Sequence, residues 1–218
     1  MAVRLRERPV LTGKEAKRFL EKNKKNEELM KKYAEKKLRS TMNDYLIPNN
    51  RPLEHRIISI EDLPHLRNFS CGNHSMDFFL QAEAYPSHIV RDSSTTLVFY
   101  QNQIIGYYTL QHTPLSSLIN DPDISKEQLV LDIARLAVHK NFQNKGIGIK
   151  IVNHILHMAI QLNERYIVLD ALKEKWTWYR DHFKFESLFE VDFINGSSFV
   201  TMFMDLYDQD LIKQYYDE

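Results

Sequence analysis

Arg135-Leu-Ala-Val-His-Lys-Asn-Phe-Gln-Asn-Lys-Gly-Ile-Gly148 decides the fold: an apolar strand runs into a Gln-x-x-Gly-x-Gly turn, and an amphipathic helix follows at once. Glycine at 146 and 148 lets the backbone turn with positive φ and approach a ligand closely, because no Cβ stands in the way. The first N–H groups of the helix predicted over 146–162 lack intrahelical partners and carry the positive end of its dipole, a site suited to a pyrophosphate. Lys145 adds a flexible positive charge beside them. Spacing excludes two other phosphate binders. A P-loop needs Gly-Lys-Ser/Thr where this chain has Ile149 and Lys150, and a dinucleotide fingerprint needs a third glycine where it has Ile151. On glycine spacing alone, a bare strand-to-helix turn explains the stretch equally well.

Outward from this turn, periodicity predicts a strand over 129–139 before it and a strand over 166–171 after the helix. Further upstream come a strand over 55–60, a helix over 73–83, and a hairpin of strands 95–100 and 103–111 joined at Gln101 and Asn102. Downstream, a short helix over 174–182 precedes closing strands near 189–193 and 199–206. Helix follows strand twice, so the expected class is α/β. Residues 12–39 read as a Lys/Glu-rich helix, with Thr12 and Glu15 spaced as a capping box and a possible break near 23–26. Its apolar positions, Ala16, Phe19, Leu20, Leu29, Met30 and Tyr33, are sparse. Residues 40–52 carry the turn chemistry of a linker, including Pro48, Asn49, Asn50 and Pro52. The expected organisation is therefore a basic helical extension and linker over 1–50 and an α/β domain over 51–218.

With 218 residues and 43% hydrophobic positions, the chain can fill one compact core plus an appendage. One cysteine excludes an internal disulfide framework and a multi-cysteine zinc site, and it suits a reducing interior, so the cytoplasm is the expected location. No apolar run has the length of a signal peptide core or a membrane span, so no membrane role is expected. Overall charge balances, yet residues 1–40 hold 14 Lys+Arg and 6 Asp+Glu, net +8, leaving net −8 for the rest. Such an arm is a solvated basic helix or one that binds RNA or a partner protein.

Arg135–Gly148 closely resembles the acetyl-CoA signature of the GNAT acetyltransferase superfamily, Arg/Gln-x-x-Gly-x-Gly/Ala after a Leu-Ala-Val strand, with Gln143, Gly146 and Gly148 in its fixed places. Three more segments resemble its toxin branch, the acetyltransferases of bacterial toxin–antitoxin pairs: Phe69-Ser-Cys-Gly-Asn73 followed by Met76, Asp77 and Leu80; Gly106-Tyr-Tyr-Thr-Leu110; and Thr201-Met-Phe-Met204. The resemblance spans roughly residues 57–206.

It implies the GNAT fold, a mixed, mostly antiparallel sheet with splayed central strands flanked by helices, here with an N-terminal helical extension. Acetyl-CoA is then the cosubstrate, held by Leu136, Ala137 and Val138 along the strand and by Gln143, Asn144, Lys145, Gly146, Ile147 and Gly148 at the turn, with no metal. An N–H near Val138 would polarise the thioester carbonyl. The reaction implied is direct attack of a primary amine, with a tyrosine returning a proton to the CoA thiolate. Tyr179 is the nearest match to that tyrosine. Lys184 stands where the family has glycine, and an ungapped comparison puts Arg180 in the tyrosine's column.

In the toxin branch the acceptor is the α-amine of an aminoacyl-tRNA, and the partners are a DNA-binding antitoxin and, frequently, a second copy of the chain. Acetylation of a small amine or a protein N-terminus, or a non-catalytic acetyl-CoA-binding or partner-binding module, remain the alternatives. Residues 8–20 faintly resemble an antitoxin's toxin-wrapping tail, which implies an arm docked on the domain. His139, His154 and His157 show no recognised zinc spacing, and the family's retention of Cys71 beside Gly72 points to structure.

Overall fold

The computed structural model describes residues 10–22, 24–25, 53–119, 128–189 and 197–207. A helix α1 covers residues 13–22. There follow β1 (Glu54–Ile57), α2 (Leu63–Leu66), α3 (His74–Phe78), a π-helical turn (Phe79–Glu83) and α4 (Ala84–Ile89). Then come β2 (Ser94–Tyr100), β3 (Gln103–Pro114), β4 (Leu129–Val138), α5 (Ile147–Gln161), β5 (Tyr166–Leu172), α6 (Trp176–Phe183), β6 (Glu186–Ser187) and β7 (Phe199–Asp205). The rest of the expected helix, 26–39, and the linker and boundary near residue 50 lie outside the described residues.

One sheet takes the strands in the order β1-β2-β3-β4-β5-β7-β6, and only β4 and β5 run parallel. The hairpin turn falls where the sequence placed it: Gln101 and Asn102 both have positive φ, 51° and 61°, the twist-matched geometry of a two-residue loop. The helix expected over 73–83 instead continues to Ile89. Pro86 lacks an N–H and its ring crowds the carbonyl four residues back, and the widened π turn just before it lets the helix carry on. Ahead of the strand expected at 189–193, the described residues form an edge strand that periodicity did not place. β6 pairs at Glu186 and Ser187 with Phe203 and Met202, Phe189 turns into the core, and 190–193 lie outside the described residues.

Two features of β4 position the site. Its pairing with β3 skips a residue between Arg135 and Ile133, so Ala134 bulges out of the ladder. Its pairing with β5 is confined to Leu131 with Ile167 and Asp132 with Val168, after which the strands part. Gly106 of β3 permits the close fit on the other side: a Cβ there would lie 3.0 Å from the Ala137 carbonyl oxygen and 3.1 Å from Ile151 Cδ1.

α5 and α6 cover one face of the sheet through a core that includes Ile151, Val152, Ile155, Leu169, Tyr179 and Met202. The opposite face is covered in two patches. α2 to α4 pack on Leu97, Ile104, Tyr107 and Ala137. α1 packs on Val130, Tyr166, Val168 and Phe203 through Leu11, Ala16, Phe19 and Leu20. Leu11 also donates its N–H to the Leu118 carbonyl at 2.6 Å, so the start of the arm docks on the domain. Between the patches lie buried polar side chains: Asp132 accepts from Gln111 and Thr113 at 2.9 and 3.2 Å, and Asp170 accepts from Thr201 at 2.7 Å.

Candidate active site

His139 N–H donates to the Ile105 carbonyl at 2.8 Å, which makes the neighbouring Gly106–Val138 pair a non-hydrogen-bonded one. By the same alternation, Leu136 and Val138 turn their main-chain N–H groups away from β3, toward the side from which β5 has departed. Ala137 points its side chain the other way, among the residues under α2 to α4. A strand edge thus turns the N–H groups of Leu136 and Val138 to the side that β5 leaves, a geometry that takes an extended amide chain as an added strand.

The loop from β4 to α5 is tied down by its own side chains. The Gln143 amide donates to the carbonyls of Val138 at 2.9 Å and Cys71 at 2.8 Å. His139 is buried and its Nδ1 accepts from the Asn141 N–H at 3.2 Å, so it caps a short turn. Asn144 and Gly146 carry positive φ, 59° and 75°, and Gly146 starts α5 with no side-chain cap. The first helical N–H with a partner is that of Lys150, to the Gly146 carbonyl, which leaves those of Ile147, Gly148 and Ile149 pointing out along the axis. Gly148 faces Trp178, whose ring would meet a Cβ at 3.4 Å. These donors, at the end of a 15-residue helix, suit a diphosphate. The Lys145 ammonium is folded back on the Asn141 carbonyl at 2.8 Å rather than held free beyond the helix end.

The Phe69-Ser-Cys-Gly-Asn73 segment buttresses this loop. Asn73 caps α3, Asp77 accepts from the Cys71 N–H at 2.7 Å and the Ser70 hydroxyl at 2.8 Å, and the Lys140 N–H donates to the Ser70 carbonyl at 2.9 Å. Gly72 takes φ 85°. Burial pushes the Cys71 thiol up to about 12, so it stays an unreactive thiol at neutral pH.

On α6 the two candidates for the tyrosine's place separate by exposure. Tyr179 is fully buried, packed between Trp178 and Phe185, and its hydroxyl has no hydrogen-bond partner among the described residues. Burial raises its pKa above the ordinary 10, so it holds its proton. Arg180 lies outside, paired with Asp181 at 2.7 Å and stacked on Trp176. Lys184 ends the helix in the left-handed conformation, φ 60°, that a glycine would adopt without cost. His154 stacks on His55, ring centroids 3.8 Å apart. Among the described residues no three His, Cys, Asp or Glu side chains gather as a metal site. Nor is any described helix long and apolar enough to cross a membrane.

Sequence reasoning missed the buried polar stripe of Asp132, Asp170 and Thr201 and the enclosed Nη1 of Arg135, which has no hydrogen-bond partner among the described residues. The period-two pattern of β4 and β5 puts Asp132 and Asp170 on one face, which is the signal that was present.

A sheet that opens at one parallel pair, beside a glycine turn that starts a helix, defines the acetyl-CoA-binding class of α/β transferases. The profile of the Acetyltransferase (GNAT) family matches residues 58–182, and the chain belongs to that family. It is an acetyl-CoA-dependent N-acetyltransferase. A tRNA-acetylating toxin of Mycobacterium tuberculosis is 25% identical over 138 residues, covering 58% of this chain and 81% of that protein. Solved structures share the fold. AtaTR bound with acetyl-CoA aligns at a TM-score of 0.57 with 18% identity, over 73% of this chain and 97% of that one. AtaT complexed with acetyl-methionyl-tRNAfMet aligns at 0.55 with 19% identity, over 74% and 99%. AtaT bound to the C-terminus of the antitoxin AtaR aligns at 0.57 with 19% identity, over 77% and 99%.

Proposed function

We propose that this chain moves the acetyl group of acetyl-CoA onto the α-amine of an aminoacyl-tRNA, by direct attack and without an acetylated enzyme. The parting of β4 from β5 after two residue pairs carries the reading, because it leaves the Leu136–Val138 edge without a β5 partner, in the same core cluster as Tyr179. Acetyl-CoA supplies an activated acyl group and a thiolate leaving group. The N–H groups from Ile147 to Ile149, with Asn144 and Lys145, hold the diphosphate, and Gln143 fixes the loop that presents them. The Leu136–Val138 edge aligns the pantetheine arm, with the Val138 N–H directed at the carbonyl oxygen. Tyr179, kept protonated by burial, donates a proton to the departing sulfur.

An α-amine titrates near 8, well below a lysine, so it needs little help to become neutral. The tRNA acceptor is supported by the M. tuberculosis relative and by the AtaT complex with acetyl-methionyl-tRNAfMet. The AtaT–AtaR structures support an antitoxin as partner. The proposed tRNA acceptor and the single cysteine, free in the fold, support a cytoplasmic site of action. The test is incubation with labelled acetyl-CoA and a mixture of charged tRNAs beside free amines and proteins. Label on the aminoacyl end of tRNA is expected, and label confined to free amines or protein would overturn the reading.

A further inference from the structure

Arg135 stands three residues before Val138 on β4, and its side chain leaves the sheet on the face away from α5. The guanidinium lies 4.0 Å from the centre of the Phe79 ring, on the π turn between α3 and α4. Its Nη1 is wholly enclosed and has no hydrogen-bond partner among the described residues. No described carboxylate pairs with it: Glu83 acts on it only at range, and Asp132, on the same face, is taken up by Gln111 and Thr113. A half-buried cation that no described carboxylate pairs with is unfavourable in an apolar setting, and a guanidinium so placed can receive an anion.

The faces of the sheet say which molecule brings the anion. The turn that suits a diphosphate opens at the start of α5, so the coenzyme approaches from that face and fills the gap. The amine must then arrive from the opposite face, where Arg135 lies. Three residues of strand separate Arg135 from Val138, about 10 Å. In an aminoacyl-nucleotide, eight bonds join the α-amine to the nearest phosphorus, about 9 Å when extended. A free amino acid holds its carboxylate two bonds from the α-carbon's nitrogen, too close to span that interval. The planar fork of a guanidinium also suits a phosphate's paired oxygens.

We infer that Arg135, backed by Phe79, is an acceptor-side phosphate clamp that binds the phosphate nearest the reacting amine. This rests on the aminoacyl-tRNA reading and narrows it: the enzyme selects amines that carry a nucleotide phosphate at this distance.

The full-length enzyme is assayed with acetyl-CoA and three acceptors: 2′(3′)-O-aminoacyl-adenosine 5′-phosphate, the same aminoacyl-adenosine without phosphate, and the free amino acid. The wild type should favour the phosphorylated acceptor over the other two in kcat/KM by about 10- to 100-fold, mainly through KM. Arg135→Gln should erase that preference and leave acetyl-CoA affinity in calorimetry unchanged, and Arg135→Lys should restore part of it. Equal use of the two adenosine acceptors by the wild type overturns the clamp alone. So does a preference that survives Arg135→Gln, an equal loss on all acceptors, or a preference for the free amino acid. A wild type that binds acetyl-CoA yet acetylates none of the aminoacyl acceptors, charged tRNA included, overturns the proposed function together with the clamp.

Discussion

The side-chain amide of Gln143 donates to the main-chain carbonyl of Val138 at 2.9 Å, closing the end of β4 onto the loop that leads into α5. Its second partner, the Cys71 carbonyl at 2.8 Å, binds the same loop to the segment ahead of α3. The glutamine of the turn is thus a spacer whose single amide nitrogen supplies both donors.

Gln143→Met keeps the length and removes both donors, leaving two partly buried carbonyls unsatisfied. Acetyl-CoA affinity should fall about tenfold or more, read by titration calorimetry, with little change in the far-ultraviolet circular dichroism. Gln143→Glu should be worse, because a carboxylate would face two carbonyl oxygens. Unchanged affinity in both variants would remove Gln143 from the site.

For Tyr179 one substitution separates a catalytic from a packing role. Its hydroxyl is buried with no partner among the described residues, so Tyr179→Phe removes no hydrogen bond and should leave stability equal or slightly raised. Turnover should nonetheless fall by about 100-fold or more if the hydroxyl is the proton donor, with acetyl-CoA affinity nearly constant. Because burial lifts its pKa above 10, the wild-type rate should show no loss from tyrosine ionisation below pH 10. A phenylalanine variant of full activity would leave Tyr179 as core alone.

Much of this was legible because it is local. The turn at Gln101 and Asn102, the glycine entry into α5 and the amphipathic run of Ile151, Val152 and Ile155 are written in neighbouring residues. The splay was not: it depends on pairing Leu131 with Ile167 across a helix, and only the family resemblance anticipated it. Helix α6 has 8 residues, too few for periodicity to show that Tyr179 faces the core and Arg180 the outside, a difference that tertiary packing makes. The docking of α1 was faint in sequence because Ala16, completely buried, is a residue that fits either side of a helix. For Arg135, alternation assigns the face, but that no carboxylate among the described residues pairs with it is a long-range fact that no local pattern holds.

Lys184 replaces a helix-ending glycine and bears the left-handed conformation in its place, φ 60°. A side chain there is strained against its own carbonyl, whereas glycine is not. Lys184→Gly should therefore stabilise the fold by about 0.5–1 kcal/mol, after the greater chain entropy of glycine in the unfolded state is subtracted. Urea denaturation should show a higher midpoint with the slope unchanged. A lower midpoint would mean that the Lys184 side chain makes contacts that outweigh its backbone strain.

The stacked pair His55 and His154 gives the fold an acid-sensitive contact. Burial first, and then the neighbouring His154, hold the pKa of His55 down to about 4, against 6.5 for a free histidine. His154 is itself lowered, by burial and then by His157. The unfolded chain takes up these protons more readily than the folded one, so stability is fully present above about pH 6.5 and declines as pH falls from there toward 4. His55 is only half-buried, and solvent screening reduces its share to the order of 1 kcal/mol. His55→Phe keeps a ring against His154 and Tyr108 and removes the titration. The wild type should lose more of its urea midpoint between pH 7 and pH 5 than this variant does. Parallel losses in the two proteins would place the acid sensitivity elsewhere, among the carboxylates.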